Sequence, residues 1–136
     1  MSANLRDERS FPALPHCPHD NDVDSSFFEL TRNCIFRPSR HWCLLADIID
    51  ERHFPYLQLF ARDKLGVEFL IAFNPRDGNR GLDPTLFPVG HTIAIMYAQQ
   101  HNFFGLPVGV LQEVIRGVKV CIAEPAASPS LGFLSL

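Results

Sequence analysis

The chain has 136 residues, 46% of them hydrophobic, and a formal net charge of −3 from 12 Lys/Arg against 15 Asp/Glu. That length fits one domain, that hydrophobic content excludes wholesale disorder, and the acidic balance speaks against a strongly basic nucleic-acid wrapper. No apolar run approaches the ~18 residues of a membrane helix.

The opening MSANLRDERS lacks the apolar stretch of a secretory signal. The expected location is therefore cytoplasmic or nuclear, and Cys17, Cys34, Cys43 and Cys121 are expected to stay as thiols. Residues 1–40 read as an irregular N-terminal arm, because Pro12, Pro15, Pro18 and Pro38 interrupt any long element. Within the arm, Asp24-Ser25-Ser26 can cap a short helix over 27–33, and the same stretch to Phe36 can equally form an edge strand.

Strand signals dominate from there. Residues 42–49 (WCLLADII) are an apolar run of strand length, and 56–62 (YLQLFAR) alternate apolar with polar or aromatic positions. Asp63-Lys64-Leu65-Gly66 reads as a hairpin connection into 67–73 (VEFLIAF), rich in β-branched and aromatic residues. After a polar loop, Asp83 can cap one helical turn that starts at Pro84. Residues 91–98, 108–112 and 118–122 supply further strands. The segment 125–136 is Ala/Ser/Pro-rich and uncharged, which reads as a flexible tail. The expected core contains Trp42, Leu44, Ile48, Leu59, Ile93, Ile95, Val118 and Val120.

The expected fold is all-β. Three strands, a helical turn and two more strands give the order of a five-stranded OB-like antiparallel β-barrel over 41–124. A small Greek-key sandwich is the competing architecture. Phe87-Pro88-Val89-Gly90-His91 resembles the turn that opens the fourth strand of OB barrels. The stretches LADIIDERHFPYLQLF, GVEFLIAF, DPTLFPVGHTIAIMYAQQH and VGV, the last followed by Gln112-Glu113, carry a second resemblance. Together they resemble an accessory domain of fungal proteins with a MYND-type zinc finger, over about residues 40–124. The finger itself is absent, so the resemblance implies a regulatory accessory domain and carries over neither zinc nor finger activity.

Candidate sites follow from side-chain chemistry. The loop 99–107 carries His101, Phe103, Phe104 and Leu106 beside Gly105, where soluble loops favour polar residues. These apolar groups either plug a barrel end or stand exposed as an anchor for a protein partner. His53, Phe54 and Tyr56 are expected at the neighbouring rim. The alternative site lies on the second strand, where Gln58, Phe60 and Arg62, extended by Lys64, suit base stacking with phosphate contact. Both faces of 67–73 are apolar, which predicts a cover on its outside, with 27–36 as the candidate. Over 41–124 seven Lys/Arg are interleaved with nine Asp/Glu, a poor basis for counterion-release binding.

No nucleophile motif, phosphate loop or paired zinc-ligand spacing occurs, so no catalytic residue, metal or cofactor is expected. The expected function is a non-enzymatic protein-interaction module, with a single-stranded nucleic-acid-binding OB domain as the alternative.

Overall fold

The computed structural model describes residues 6–52, 57–73, 84–112, 118–122 and 132–135. Its strands are β1 (Phe28–Leu30), β2 (Phe36–Pro38), β3 (Cys43–Arg52), β4 (Gln58–Asp63) and β5 (Glu68–Phe73), followed by β6 (Thr92–Met96), β7 (Val110–Gln112), β8 (Val118–Ile122) and β9 (Gly132–Ser135). The described helical content is two short 3-10 turns, Leu14–His16 and Pro84–Leu86. The chain is thus mostly β, and the single turn expected from Pro84 is present.

β1 and β2 form a two-stranded sheet, and the other strands form one sheet in the order β7-β5-β4-β3-β6-β8-β9. Every neighbouring pair is antiparallel except β5 with β7, which run parallel. This differs from five strands in a closed ring. The segments 110–112 and 118–122 pair at opposite sides of the sheet, on β5 and β6. Residues 132–135, inside the expected tail, add a further strand to β8. Among the described residues no ladder joins β7 to β8 or β9, so the sheet is a curled half-barrel.

The curl follows from where the apolar side chains go. One face of the sheet carries Leu44, Ala46 and Ile48 on β3, Leu59 and Ala61 on β4, and Phe69, Ile71 and Phe73 on β5. Ile93 and Ile95 on β6, Val110 on β7, and Val118 and Val120 on β8 complete it. All belong to one buried cluster, although the described residues include no second large sheet opposite. A single sheet can bury one face this completely only by wrapping around it. Leu14, Phe27, Trp42 and Phe87 fill what the wrap leaves open. The β3–β4 register shifts between Ile48 and Asp50, and such a bulge sharpens strand twist and bend. All eight residues expected in the core are buried.

The segment before β1 is tied to the large sheet by buried polar groups. Asp63 is buried, and its Oδ2 accepts a hydrogen bond from the Leu14 backbone N–H (2.8 Å). Its Oδ1 accepts from the N–H groups of Leu65 (3.0 Å) and Val67 (2.9 Å). One carboxylate therefore holds the β4–β5 turn and the first 3-10 turn together. In Asp63→Asn one side of that arrangement must face an NH₂ instead of an oxygen. The expected cost is ~1–3 kcal/mol of unfolding free energy by urea titration, the penalty of a buried donor left without an acceptor.

Candidate functional site

The loop after β6 is built on a stapled base. Gln100 is buried, and its Nε2 donates to the carbonyls of Cys17 (2.7 Å) and Pro15 (3.2 Å). Its backbone N–H donates to Pro18 O (2.7 Å), and its carbonyl accepts from the Asp20 N–H (2.9 Å). Arm and loop base are thus one hydrogen-bonded unit. The loop then closes on itself, with His101 N–H donating to Gly109 O (2.8 Å) and Gly109 N–H to His101 O (3.0 Å). Gly109 permits this neck. A Cβ there would lie 2.3 Å from the Leu70 carbonyl oxygen and 2.9 Å from the Phe103 ring.

Above the neck the aromatic side chains separate. The Phe103 ring packs edge-on against His101, with centroids 4.7 Å apart, and is half-buried. His101 Nδ1 in turn lies 2.6 Å from Asp20 Oδ2. Gly105 has φ +74°, and the Leu106 N–H donates to Phe103 O (3.2 Å), so the chain turns tightly at the tip. Phe104 on that turn is fully exposed, and Leu106 is 57% exposed. The two fates considered for this loop therefore divide. Phe103 packs on the neck, whereas Phe104 and Leu106 stand in solvent. His53, Phe54 and Tyr56, expected at the same rim, lie outside the described residues.

The second-strand patch has a different environment. Gln58 and Phe60 are half-buried and Arg62 is exposed. The Arg62 guanidinium is paired with Glu68 Oε1 at 2.6 Å, and the Arg52 guanidinium lies 5.3 Å from the Phe60 ring centroid. Lys64 Nζ donates to Phe11 O (2.7 Å) and is paired with Glu8 Oε2 at 2.5 Å. The Glu8 carboxyl is held down to about 2, first by the Lys64 hydrogen bond and then by those from His16 and the Ala13 N–H, against the opposing effect of desolvation. The two cations expected to meet phosphate thus already face carboxylates.

The outside of β5 is covered differently from the expectation. Leu70 is buried where Gly109 comes close, whereas the 27–36 segment packs on Trp42 through Phe27 and Phe28, with centroids 4.8 and 5.5 Å away.

An apolar cleft of about 430 Å³ that the sequence did not suggest lies against the outer face of β3 and β6. Ser10, Phe11, Cys43, Ala94, Met96 and Lys119 are among its lining residues. Its signal was weak, since alternate positions of both strands are apolar and only the fold shows which face stays open.

The thiol chemistry is quiet. Burial pushes the Cys17 thiol up to about 12, with Asp63 and Glu8 adding to the effect, so it stays protonated at neutral pH. Cys17 and Cys34 are free thiols. Among the described residues, no three His, Cys, Asp or Glu side chains gather as a metal site. Two carboxylates that flank the β3 bulge have structural partners: Asp47 accepts from the Thr92 hydroxyl (3.0 Å), and Asp50 from the Glu51 N–H (2.8 Å). Comparison of the chain with protein-family models, curated proteins and solved structures finds no match.

Proposed function

We propose that this chain is a non-enzymatic protein-interaction module whose principal anchor is Phe104, supported by Leu106 and by the Phe103–His101 stack. The observation that carries the reading is a fully exposed phenylalanine on a loop held closed at its neck. A large aromatic in water gains by burial in a partner's pocket. A closed neck lowers the ordering cost of binding.

The scaffold under this reading is OB-like. In support, residues 110–112 pair parallel with β5 and residues 118–122 pair antiparallel with β6, the third and fourth strands of the OB-like reading. An accessory domain of the MYND-associated kind suits such a role. The carboxylate partners of Arg62 and Lys64 weigh against the nucleic-acid alternative.

The test is Phe104→Ser. Stability is expected to change by no more than ~0.5 kcal/mol, as for surface substitutions generally. Affinity for a partner recovered with the native chain is expected to fall at least ~10-fold, the effect of removing an interface hot spot. Unchanged affinity for every recovered partner overturns the proposal. Salt-sensitive binding of a short single strand, lost in Arg62→Ala, would move the function to nucleic acid.

A further inference from the structure

We infer that the hairpin β1–β2 is a second docking element, independent of the Phe104 loop, for a protein segment that presents apolar side chains among Asp and Glu. Its register pairs Phe28 with Pro38 and Leu30 with Phe36, so these four side chains share one face, and Glu29 pairs with Arg37 on the other. At the base of the apolar face, Phe28 packs edge-on against Trp42. Further out the support stops. Leu30 is 58% exposed, Phe36 53%, and Ile35 at the turn 63%. The stripe therefore runs outward from the core into solvent.

The hairpin is nonetheless well formed. Thr31 N–H donates to Ile35 O (2.8 Å), Ile35 N–H to Thr31 Oγ1 (3.2 Å), and Ser39 N–H to Phe27 O (2.7 Å). A built hairpin with an uncovered apolar face is a surface awaiting a partner.

Charge selects the partner. The segment 27–40 carries Arg32, Arg37 and Arg40 against one carboxylate, Glu29, in a chain that is acidic as a whole. Glu29 is already paired with Arg37 at 2.7 Å. Arg40 lies 4.0 Å over the Phe27 ring, and its Nε is buried with no hydrogen-bond partner. Neither Arg32 nor Arg40 has a carboxylate at ion-pair distance among the described residues. Two guanidinium groups without a carboxylate partner among the described residues, one at the turn and one at the base, thus bracket the apolar stripe. An acidic, apolar segment satisfies both features, through complementary charge and burial of Leu30, Ile35 and Phe36.

The test uses two synthetic peptides, one alternating Glu with Leu and Phe, the other with Lys in place of Glu. Binding to the full chain is followed by amide chemical shifts. The acidic peptide is expected to shift residues 28–40, and to bind about 10-fold more weakly at ~500 mM than at ~50 mM salt, because exposed charge attraction is screened. Phe36→Ser and, separately, Arg32→Glu are each expected to weaken it ~5-fold or more, the scale of one lost interface contact or charge. Arg32 is exposed, so this variant still reports if Phe36→Ser does not fold. Phe104→Ser is expected to bind the peptide as the native chain does, which separates failure of this inference from failure of the loop reading. Equal binding of both peptides, or no binding, overturns the inference. So does exclusive binding to phosphatidylserine vesicles, or self-association through the hairpin that Phe36→Ser abolishes.

Discussion

Trp42→Ala is expected to lower the unfolding free energy by about 3–5 kcal/mol, the range for a large buried aromatic truncated to Ala. Trp42 is almost fully buried, and the rings of Phe27, Phe28 and Tyr97 meet it edge-on with centroids 4.8, 5.5 and 5.2 Å away. Its Nε1 donates to the Ala98 carbonyl at 2.8 Å. The truncation removes an apolar junction between the hairpin and the end of β6 and also leaves a buried carbonyl without its donor. Trp42→Phe separates the two losses, since it keeps most of the packing and forfeits only the hydrogen bond, at ~1–3 kcal/mol. Urea unfolding followed by far-UV circular dichroism measures both. Because Trp42 is the chain's single tryptophan, the native protein's fluorescence reports on this junction. A Trp42→Ala loss below about 1 kcal/mol would show that the hairpin does not pack there in solution.

Leu59→Ala is expected to cost about 2–5 kcal/mol. Leu59 is 0% exposed, near the start of β4, between Glu51 on β3 and Ile71 on β5. Strands on both sides hold the backbone in place, so the site cannot collapse into the space the side chain leaves. The denaturant midpoint should fall while the slope stays constant, because the surface exposed on unfolding hardly changes. A cost near that of an exposed site would mean that the concave face is not packed as described.

Much of the sheet was legible. The strands expected at 42–49, 56–62, 67–73, 91–98 and 118–122 fall on β3, β4, β5, β6 and β8 within a few residues. Alternation and bounding Gly, Pro and Asp residues are local signals, and these strands obey them.

The hairpin β1–β2 was ambiguous for a local reason. Its turn places Cys34 at φ +59°, where Gly or Asn would have announced a left-handed residue. The turn at Asp63 was visible, but its hold on Leu14 was not, because that bond spans 49 positions and no spacing rule encodes it. The same holds for Gln100, a polar residue after a strand with nothing local to mark it as the staple of the arm. The divided end of the sheet was hidden because 108–112 and 118–122 each look like a strand without revealing which edge they join. In the candidate site, the aromatic loop stood out by composition. Which of its phenylalanines faces outward depended on the neck at Gly109. Arg62 and Lys64 were read as available because their partners, Glu68 and Glu8, are set by register and by the arm.

The stapling of the arm has a consequence for the order in which the chain can fold. Residues 15 and 17 are held by Gln100 across 85 and 83 positions, and Leu14 is held by Asp63 across 49. During synthesis the start of the chain leaves the ribosome first and must wait several seconds for Gln100, at ~5–20 residues per second. Until then Leu14 and Cys17 lack their final cover, and the core stays open on that side. Contacts of this sequence separation are slow to close. Docking of the arm is therefore the step that seals the nascent domain, and a chaperone that shields this segment would act in that interval.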